Sequence, residues 1–394
     1  MAGKVVAMTG NHAVANAMRQ VNPDVCAAYP ITPSTEVMQV FASFVADGAV
    51  DTNLVRVESE HSAMSACIGA SAAGGRVMTA TSSAGLALMW EMLYVASGSR
   101  LPIVLQCVNR ALSAPINIHC DHSDSMGARD ACWIQLYAEN AQEAYDNMVQ
   151  AVLIAENMDV RLPIMCCLDG FIISHSIEKM EILSDEDVKS FIGEYKPFYP
   201  MLDTDNPVTY GPIDLQNFYI EHKRQQVDGM AAAKDAVLDI GAKFGEKFGR
   251  KYGFFEEFML DDAEIALVVM SSAAGTSKAV IKDLRAKGMK VGLLKPRMFR
   301  PFPAEEMRDA LKHLKAICVL DRSDSFGSLG GPLFSEVRSA MYGLSDGPQI
   351  MGRIFGLGGR DLEIFHVEDL LKELDNVSKT GKIEKLVDYI TVRV

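Results

Sequence analysis

Ala28-Tyr29-Pro30-Ile31-Thr32-Pro33-Ser34-Thr35 follows a short run, Asp24 to Ala28, that reads as the end of a strand. Two prolines three residues apart fix φ twice and remove two backbone donors. Each pushes the residue before it, Tyr29 and Thr32, toward extended geometry. Thr32 is therefore a hydroxyl held between two stiff points at the mouth of a strand. Ser34 or Thr35 can cap a helix starting near Glu36. On spacing alone the stretch is a strand-to-helix turn.

Outward from this turn, strands alternate with helices. Lys4 to Met8 reads as a first strand, followed through Gly10-Asn11 by a helix from Ala13 to Arg19. Pro33 to Val45 carries Val37, Val40, Phe41 and Phe44 on one helical face. Further strands are expected at Leu54–Val57, Arg76–Ala80, Pro102–Val108 and Arg161–Leu168. Ser59 opens a helix of small residues, Ala63, Ala66, Gly69, Ala70, Ala72 and Ala73, able to approach a neighbour closely. This alternation predicts a parallel, doubly wound sheet. Ligands of such sheets bind outside the carboxyl ends of strands. Tyr29–Thr32, Glu58–Glu60, Thr81–Gly85 and Asn109–Arg110 all fall at those ends, so four loops converge on one edge.

The pattern breaks between 185 and 261, where Lys196-Pro197, Asn206-Pro207 and Gly211-Pro212 mark a connector before a polar helix at about 218–251. A second α/β unit spans 262–375. Its strands are expected at Ile265–Met270, Lys290–Leu294, Ala316–Leu320 and Gln349–Phe355. Its helices are expected at Ser277–Lys287, Ala304–Leu314 and Pro332–Ala340. Residues 376–394 form a charged tail, expected on the surface or against a partner. The first unit then covers 1–184.

The chain has 394 residues, enough for two or three domains with full cores. A net charge of −13 argues against nucleic acid or an anionic membrane surface as partner. No run of 18 apolar residues occurs, so no membrane span is expected. Met1 to Gly10 is too short and too polar for a signal peptide, and a cytoplasmic location follows. The eight cysteines form no Cys-x-x-Cys and mostly lie in apolar runs. Free buried thiols are expected, with no iron–sulfur ligation by this chain.

Tyr29-Pro30-Ile31-Thr32-Pro33 resembles the signature of the first domain of the 2-oxoacid:ferredoxin oxidoreductases, which are thiamine-diphosphate enzymes. Val57-Glu58-Ser59-Glu60-His61 before the small-residue helix is similar to the family's glutamate loop. Asn109-Arg110-Ala111-Leu112-Ser113 through Asp121-His122-Ser123-Asp124 is similar to its substrate loop. Trp133-Ile134-Gln135-Leu136 with Glu139-Asn140 follows as in pyruvate-type members. Ser272-Ala273-Ala274-Gly275-Thr276 and Arg297 to Pro303 resemble the domain shared with transketolase C-terminal regions. His12 departs from the pattern, since a glutamate is more usual there.

The resemblance implies a pyrimidine-type thiamine-diphosphate domain followed by a transketolase C-terminal-like α/β domain. It implies the alpha subunit of an enzyme that oxidatively decarboxylates pyruvate to acetyl-CoA and CO₂, passing electrons to ferredoxin, or runs in reverse. Another 2-oxoacid (2-oxoglutarate, a branched-chain 2-oxoacid or oxalate) is the alternative within the family. Thr32 and the Trp133–Leu136 stretch favour pyruvate. A non-catalytic scaffold subunit is the alternative from another class. A nucleotide-binding dehydrogenase would need Gly-x-Gly-x-x-Gly after the first strand, and Thr9-Gly10-Asn11-His12-Ala13 has a single glycine.

By the same resemblance, Glu60 and Pro30 lie on the cofactor, and Thr32 and Arg110 bind the substrate; Glu60, Thr32 and Arg110 form the catalytic set. The chemistry asks for a carboxyl at N1′ of the aminopyrimidine, and a glutamate after a strand at a helix start can be held there. Glu58 competes for that role. Without the family, Glu60 merely complements a helix N-terminus, worth about 0.3–1 kcal/mol. Arg110 offers a planar fork for a 2-oxoacid carboxylate; its structural alternative is a surface salt bridge, and Asn109 reads equally as a turn residue. His119, Asp121, His122 and Asp124 match no standard zinc spacing, and the family treats this loop as a mobile segment over the substrate. The Gly-Asp-Gly…Asn arrangement for Mg²⁺ and diphosphate is missing, since Asp169-Gly170 follows Leu168. A beta subunit is therefore expected to bring diphosphate, Mg²⁺ and a [4Fe-4S] cluster. Gamma and delta subunits or domains, ferredoxin and coenzyme A complete the expected partners, and no metal site is expected on this chain.

Overall fold

The computed structural model describes residues 3–393. In chain order the first unit carries β1 (Lys4–Thr9), β2 (Val25–Ala28), β3 (Asn53–Arg56), β4 (Val77–Thr81), β5 (Val104–Asn109), β6 (Ile134–Tyr137), β7 (Ile164–Asp169) and β8 (Ile177–Ile182). The second carries β9 (Phe255–Phe258), β10 (Ile265–Val269), β11 (Val291–Pro296), β12 (Met298–Arg300), β13 (Ala316–Asp321), β14 (Gln349–Ile354) and β15 (Val387–Tyr389).

A seven-stranded sheet runs in the order β12-β6-β7-β5-β4-β2-β3. Its strands are parallel except β12, which pairs antiparallel with β6. β2 has β3 on one side and β4 on the other, so the strand order reverses there. The helix Thr35–Ala46, after β2, buries Val37 and Phe41 in one core. The helix Glu60–Ala72, after β3, buries Ala63 and Met64 in the other. Alternate residues of β2 follow suit: Cys26 and Ala28 face the first core, Ala27 the second. The crevice at the carboxyl end of β2 is therefore the topological switch point, and the Tyr29–Thr35 turn occupies it.

A second sheet runs β15-β14-β13-β10-β11-β9. Val268, Leu294, Ile317 and Phe334 share one hydrophobic cluster with Leu86, Trp133 and Tyr137 of the first unit. With β12 added to the first sheet, the two units are joined by a common core as well as by strand pairing. The helix Tyr219–Phe248 is not free of the first unit. Gln226, Gly229, Ala233, Val237, Ile240 and Phe244 bury one face, against the helix Ala141–Glu156 and its surroundings.

Several elements differ from the expectation. Lys4–Thr9 does not enter the large sheet but pairs antiparallel with β8 as a two-stranded ribbon. None of its residues is fully buried and Val5 is exposed, whereas a strand inside a parallel sheet needs both faces covered. The stretch after β4 forms two helices, Ser83–Leu88 and Trp90–Gly98. The charged segment after Asp375 finishes the helix Ile364–Thr380 and then supplies β15, parallel to β14.

No described helix is long and apolar enough to cross a membrane. All eight cysteines are free, seven of them buried. Burial pushes the Cys67 thiol up to about 12, so it is inert.

Candidate active site

The turn after β2 is fixed from below. Asn11 Nδ2 donates to the Pro33 carbonyl at 2.9 Å. A Cβ on Gly170 would stand 2.8 Å from Pro33 Cγ and 2.3 Å from the Asn109 carbonyl, so the loop after β7 must carry glycine here. Ser34 does not cap the helix as expected; its hydroxyl turns back to the Ile31 carbonyl at 2.8 Å, tightening the turn. Pro33 is buried, while Tyr29, Pro30 and Thr32 are exposed at the crevice mouth. His12, which departs from the family pattern, faces Glu36 across this turn at 3.3 Å.

Glu60 is the first residue of its helix and is 6 % exposed. The cap is Ser59, whose hydroxyl accepts from the Ser62 N–H at 3.2 Å. Such a cap contributes about 1 kcal/mol and holds Glu60 at the start of the first turn. The carboxyl of Glu60 makes no hydrogen bond within the described residues. It rests against Gly85, where a Cβ would stand 2.7 Å from Oε1, and Thr81 Oγ1 is buried there without a partner. Glu58 is exposed and bonded by the Ser62 hydroxyl, which lowers its pKa. Position thus separates the two glutamates.

Arg110 is 8 % exposed and its guanidinium is aimed by two carbonyls. Nη1 donates to the Thr32 carbonyl at 2.9 Å and Nε to the Asn117 carbonyl at 3.0 Å. Nη2 has no partner among the described residues. Arg110 therefore joins the Thr32 turn directly, and the surface salt bridge is excluded. Its backbone is held by Asp124, a residue first read as a possible metal ligand. The Asp124 carboxylate accepts from the N–H groups of Ser83 (2.9 Å), Arg110 (3.0 Å) and Ser125 (2.7 Å) and from Asn109 Nδ2 (2.8 Å). Burial pushes its pKa up against those four hydrogen bonds. Asn109, the last residue of β5, is fully buried and is a spacer for this staple rather than a turn residue.

Ser83 completes the link between loops. Its hydroxyl donates to the Ala111 carbonyl at 2.6 Å, two residues from Gly85. Glu60 is thus tied through Gly85 and Ser83 to the loop that carries Arg110, although no hydrogen bond joins Glu60 to Arg110 or Thr32. Sequence reasoning missed Gly85, Asn117 and the role of Asp124. Only the Thr81–Gly85 turn carried a signal, as one of the four converging loops.

The four residues of the histidine–aspartate loop go to different partners, and His122 comes together instead with Cys120 and Asp169, their potential ligand atoms all within 4.8 Å of one another. His119 packs at a tilt against Phe171, Asp121 accepts from the N–H groups of Ser123 and Gly358, and Asp124 is the staple just described. His122 Nε2 lies 2.7 Å from Asp169 Oδ1. Asp169 also accepts from the Ser272 hydroxyl and faces Arg322 at 3.7 Å. Burial alone would raise the Asp169 carboxyl, but Arg322 and His122 outweigh it and hold it below the usual carboxylate range. Asp169 is thus the centre of a buried network between the units. The loop meets the second unit through the His122 N–H, which donates to the Arg322 carbonyl at 2.8 Å.

The residues fit the pyrimidine side of thiamine: a buried carboxyl without a protein partner, backed by a bare glycine, beside an orphaned Thr81 hydroxyl. Residues 16–241 match the family described as pyruvate flavodoxin/ferredoxin oxidoreductase, thiamine-diphosphate-binding. Residues 263–367 match pyruvate:ferredoxin oxidoreductase core domain II. The chain is 54 % identical to pyruvate synthase subunit PorA of Thermotoga maritima, over 94 % of both chains. This chain belongs to the pyruvate flavodoxin/ferredoxin oxidoreductase family. Another member, PorA of Methanocaldococcus jannaschii, is 47 % identical over 94 % of this chain and 95 % of its own. The ketoisovalerate oxidoreductase subunit VorA of Pyrococcus abyssi is 42 % identical over 97 % and 96 %.

Solved structures show the oxidoreductase fold in the same terms. A 2-oxoglutarate:ferredoxin oxidoreductase of Magnetococcus marinus aligns with TM-score 0.75 at 23 % identity, over 94 % of this chain. The present chain spans 65 % of that longer polypeptide. A split-gene transketolase chain aligns with TM-score 0.53 at 12 % identity, over 93 % of this chain and 99 % of its own. The doubly wound unit followed by a transketolase-like unit, expected from the motifs, is the fold found.

Proposed function

We propose that this chain is the alpha subunit of a pyruvate-type 2-oxoacid:ferredoxin oxidoreductase and contributes half of its active site. The observation that carries this reading is the Arg110–Thr32 contact at the topological switch point, one loop away from Glu60. Thiamine diphosphate, when bound, supplies the nucleophilic carbon and electron sink for breaking the bond between a 2-oxoacid's carboxylate and its keto carbon. Glu60 holds a proton at the pyrimidine N1′ position, and its burial excludes water from that exchange. Arg110 offers Nη2 to the substrate carboxylate, with Nε and Nη1 locked in place beforehand. The Thr32 hydroxyl, on the residue whose carbonyl Arg110 binds, orients the same carboxylate or the keto oxygen, and Pro30 flanks the cofactor.

In this reading residues 1–184 bring the pyrimidine side, 185–261 connect, 262–375 form the second unit and 376–394 the tail. Diphosphate, Mg²⁺ and the [4Fe-4S] clusters belong to partner subunits, a beta chain first, with gamma and delta components, coenzyme A and ferredoxin beyond it. Exposed apolar side chains around the site support a partner. Tyr29, Val55, Leu88 and Leu112 are at least partly bare, Trp90 is 45 % exposed and Ile116 77 %. Free buried thiols suit a reducing, cytoplasmic setting.

Arg110 reads the carboxylate that every 2-oxoacid carries, so it does not choose among them, and the similarity to a ketoisovalerate subunit keeps a branched-chain substrate as the second reading. The test is turnover of the complex purified from its source, with coenzyme A and a viologen dye. Pyruvate is expected to give the highest kcat/KM against 3-methyl-2-oxobutanoate and 2-oxoglutarate. Preference for either of the others overturns the pyruvate assignment. Unchanged turnover in Glu60→Ala overturns the catalytic reading and leaves a scaffold.

A further inference from the structure

The segment from Ala111 to Asp121 leaves β5 and crosses to the second unit. Its base is closed by the Ala111 N–H donating to the His119 carbonyl at 3.0 Å. Between these points Leu112 to Ile116 are exposed, so the segment is held at its ends. One end meets the turn Gly356-Leu357-Gly358-Gly359-Arg360. Asn117 Nδ2 donates to the Gly358 carbonyl at 2.9 Å, and the Gly358 N–H donates to Asp121 Oδ2 at 3.2 Å. Loop and turn therefore grip each other with hydrogen bonds of opposite sense.

The turn needs its glycines to come this close. Gly358 has φ +64°, and a Cβ there would stand 2.3 Å from Asn117 Nδ2. Gly359 has φ +84°, and its Cβ would stand 2.4 Å from His119 Cβ. Both positions demand the left-handed region and a bare surface. Asn117 is also the residue whose carbonyl accepts from Arg110 Nε. One residue thus connects the second unit's turn to the guanidinium.

We propose that the Gly356–Arg360 turn, acting through Asn117, aims Arg110, so that the second unit takes part in recognising the substrate carboxylate. Asn117 and Gly358 are positioning residues: neither touches substrate. The inference rests on the reading of Arg110 as the carboxylate clamp. A carbonyl anchored from outside the loop fixes the fork before substrate arrives, which is the supporting contact a preorganised site requires.

The experiment is steady-state kinetics of the assembled complex carrying Asn117→Ala, Asn117→Asp, Gly358→Ala or Arg110→Ala. Asn117→Asp keeps the acceptor for the His119 N–H, but replaces the donor to Gly358 with a charged oxygen facing that carbonyl. Losing one such hydrogen bond is expected to raise the KM for pyruvate roughly tenfold in each Asn117 variant, with kcat and the KM for coenzyme A within about threefold. Gly358→Ala is expected to do the same, and if it fails to assemble the two Asn117 variants decide. An unchanged pyruvate KM in both Asn117 variants, while Arg110→Ala raises it, overturns the positioning role and leaves the clamp. A fall in Tm accompanied by equal losses in kcat and both KM values also overturns it, since that is what a purely structural contact gives. If Arg110→Ala leaves the pyruvate KM unchanged, the clamp itself is wrong.

Discussion

Gly85 lies so close to Glu60 that a Cβ added to it would stand 2.7 Å from Oε1 and 2.9 Å from Cγ, inside contact distance. Helix propensity alone would make Gly85→Ala stabilising by up to about 1 kcal/mol, because residue 85 sits within a helix. Sterics oppose this and fall on the Thr81 hydroxyl, 2.5 Å from that Cβ, and on the Glu60 carboxyl. The expected outcome is an assembled complex with near-normal Tm and a kcat lowered about 100-fold, within the range for losing one acid–base group. Glu60→Gln is expected to lose at least as much. Full turnover in Gly85→Ala would mean that the position of Glu60 is irrelevant to the reaction.

Arg110→Lys is the sharper probe of the fork. Arginine reaches the carbonyls of Thr32 and Asn117 with two nitrogens and keeps a third free. An ammonium on a flexible stem cannot hold both carbonyls and a carboxylate in one plane. The KM for the 2-oxoacid is expected to rise roughly 10- to 100-fold with charge retained, while the KM for coenzyme A stays put. Saturation curves for both substrates check this. A lysine variant with a normal 2-oxoacid KM would show that only charge matters at position 110.

How far the sequence carries the fold can be judged from individual strands. β4, β5 and β7 are buried at every residue and stood out as apolar runs between turn signals. β6 is equally buried but only four residues long, and Ile134-Gln135-Leu136 alternates with a glutamine that bonds the Ser125 carbonyl instead of water. β12 and β15 have three residues each and exist because a neighbouring strand edge is available, a fact no local period encodes. The site divides the same way. Thr32, Glu60 and Arg110 follow β2, β3 and β5, the places that the alternation of strands and helices implied for them. Asn117, Gly85 and Asp124 act on other loops across long sequence separations, so their roles appear only once the chain is folded.

Asp321 makes stability depend on pH in a direction opposite to the usual aspartate. Its carboxyl ends β13 and accepts from the N–H groups of Leu333 (2.8 Å) and Phe334 (3.0 Å), in the first turn of the helix Pro332–Met341. Burial pushes its pKa up to about 7 against those hydrogen bonds. The unfolded value is about 3.9, so the folded chain holds the proton more tightly. The resulting stabilisation is complete below about pH 4 and is lost as pH rises through about 7. Asp321→Asn keeps an acceptor and removes the titration. Between about pH 5 and 8 the wild-type Tm is expected to fall relative to that of the variant. Parallel Tm curves across that range would contradict the assignment.

Lys295 binds the two units through charge. It is 3 % exposed at its side chain and pairs with Glu139 at 2.8 Å, Glu256 at 3.0 Å and, closer still, Glu143. Lys278 pairs with Glu139 and Glu256 at 2.7 and 2.8 Å, so two ammonium groups face three carboxylates. Burial alone would lower the Lys295 pKa, and Glu143 and Glu139 overcome it, holding the group well above the usual lysine range. Removing one partner of a buried set leaves uncompensated charge, so Lys295→Met is expected to cost about 3–5 kcal/mol. The cost belongs to the stranded carboxylates rather than to the lost attraction. Adding Glu143→Gln to Lys295→Met should therefore recover stability, and the two substitutions should be far from additive in denaturant unfolding. An additive pair would show that Glu143 and Lys295 do not compensate each other.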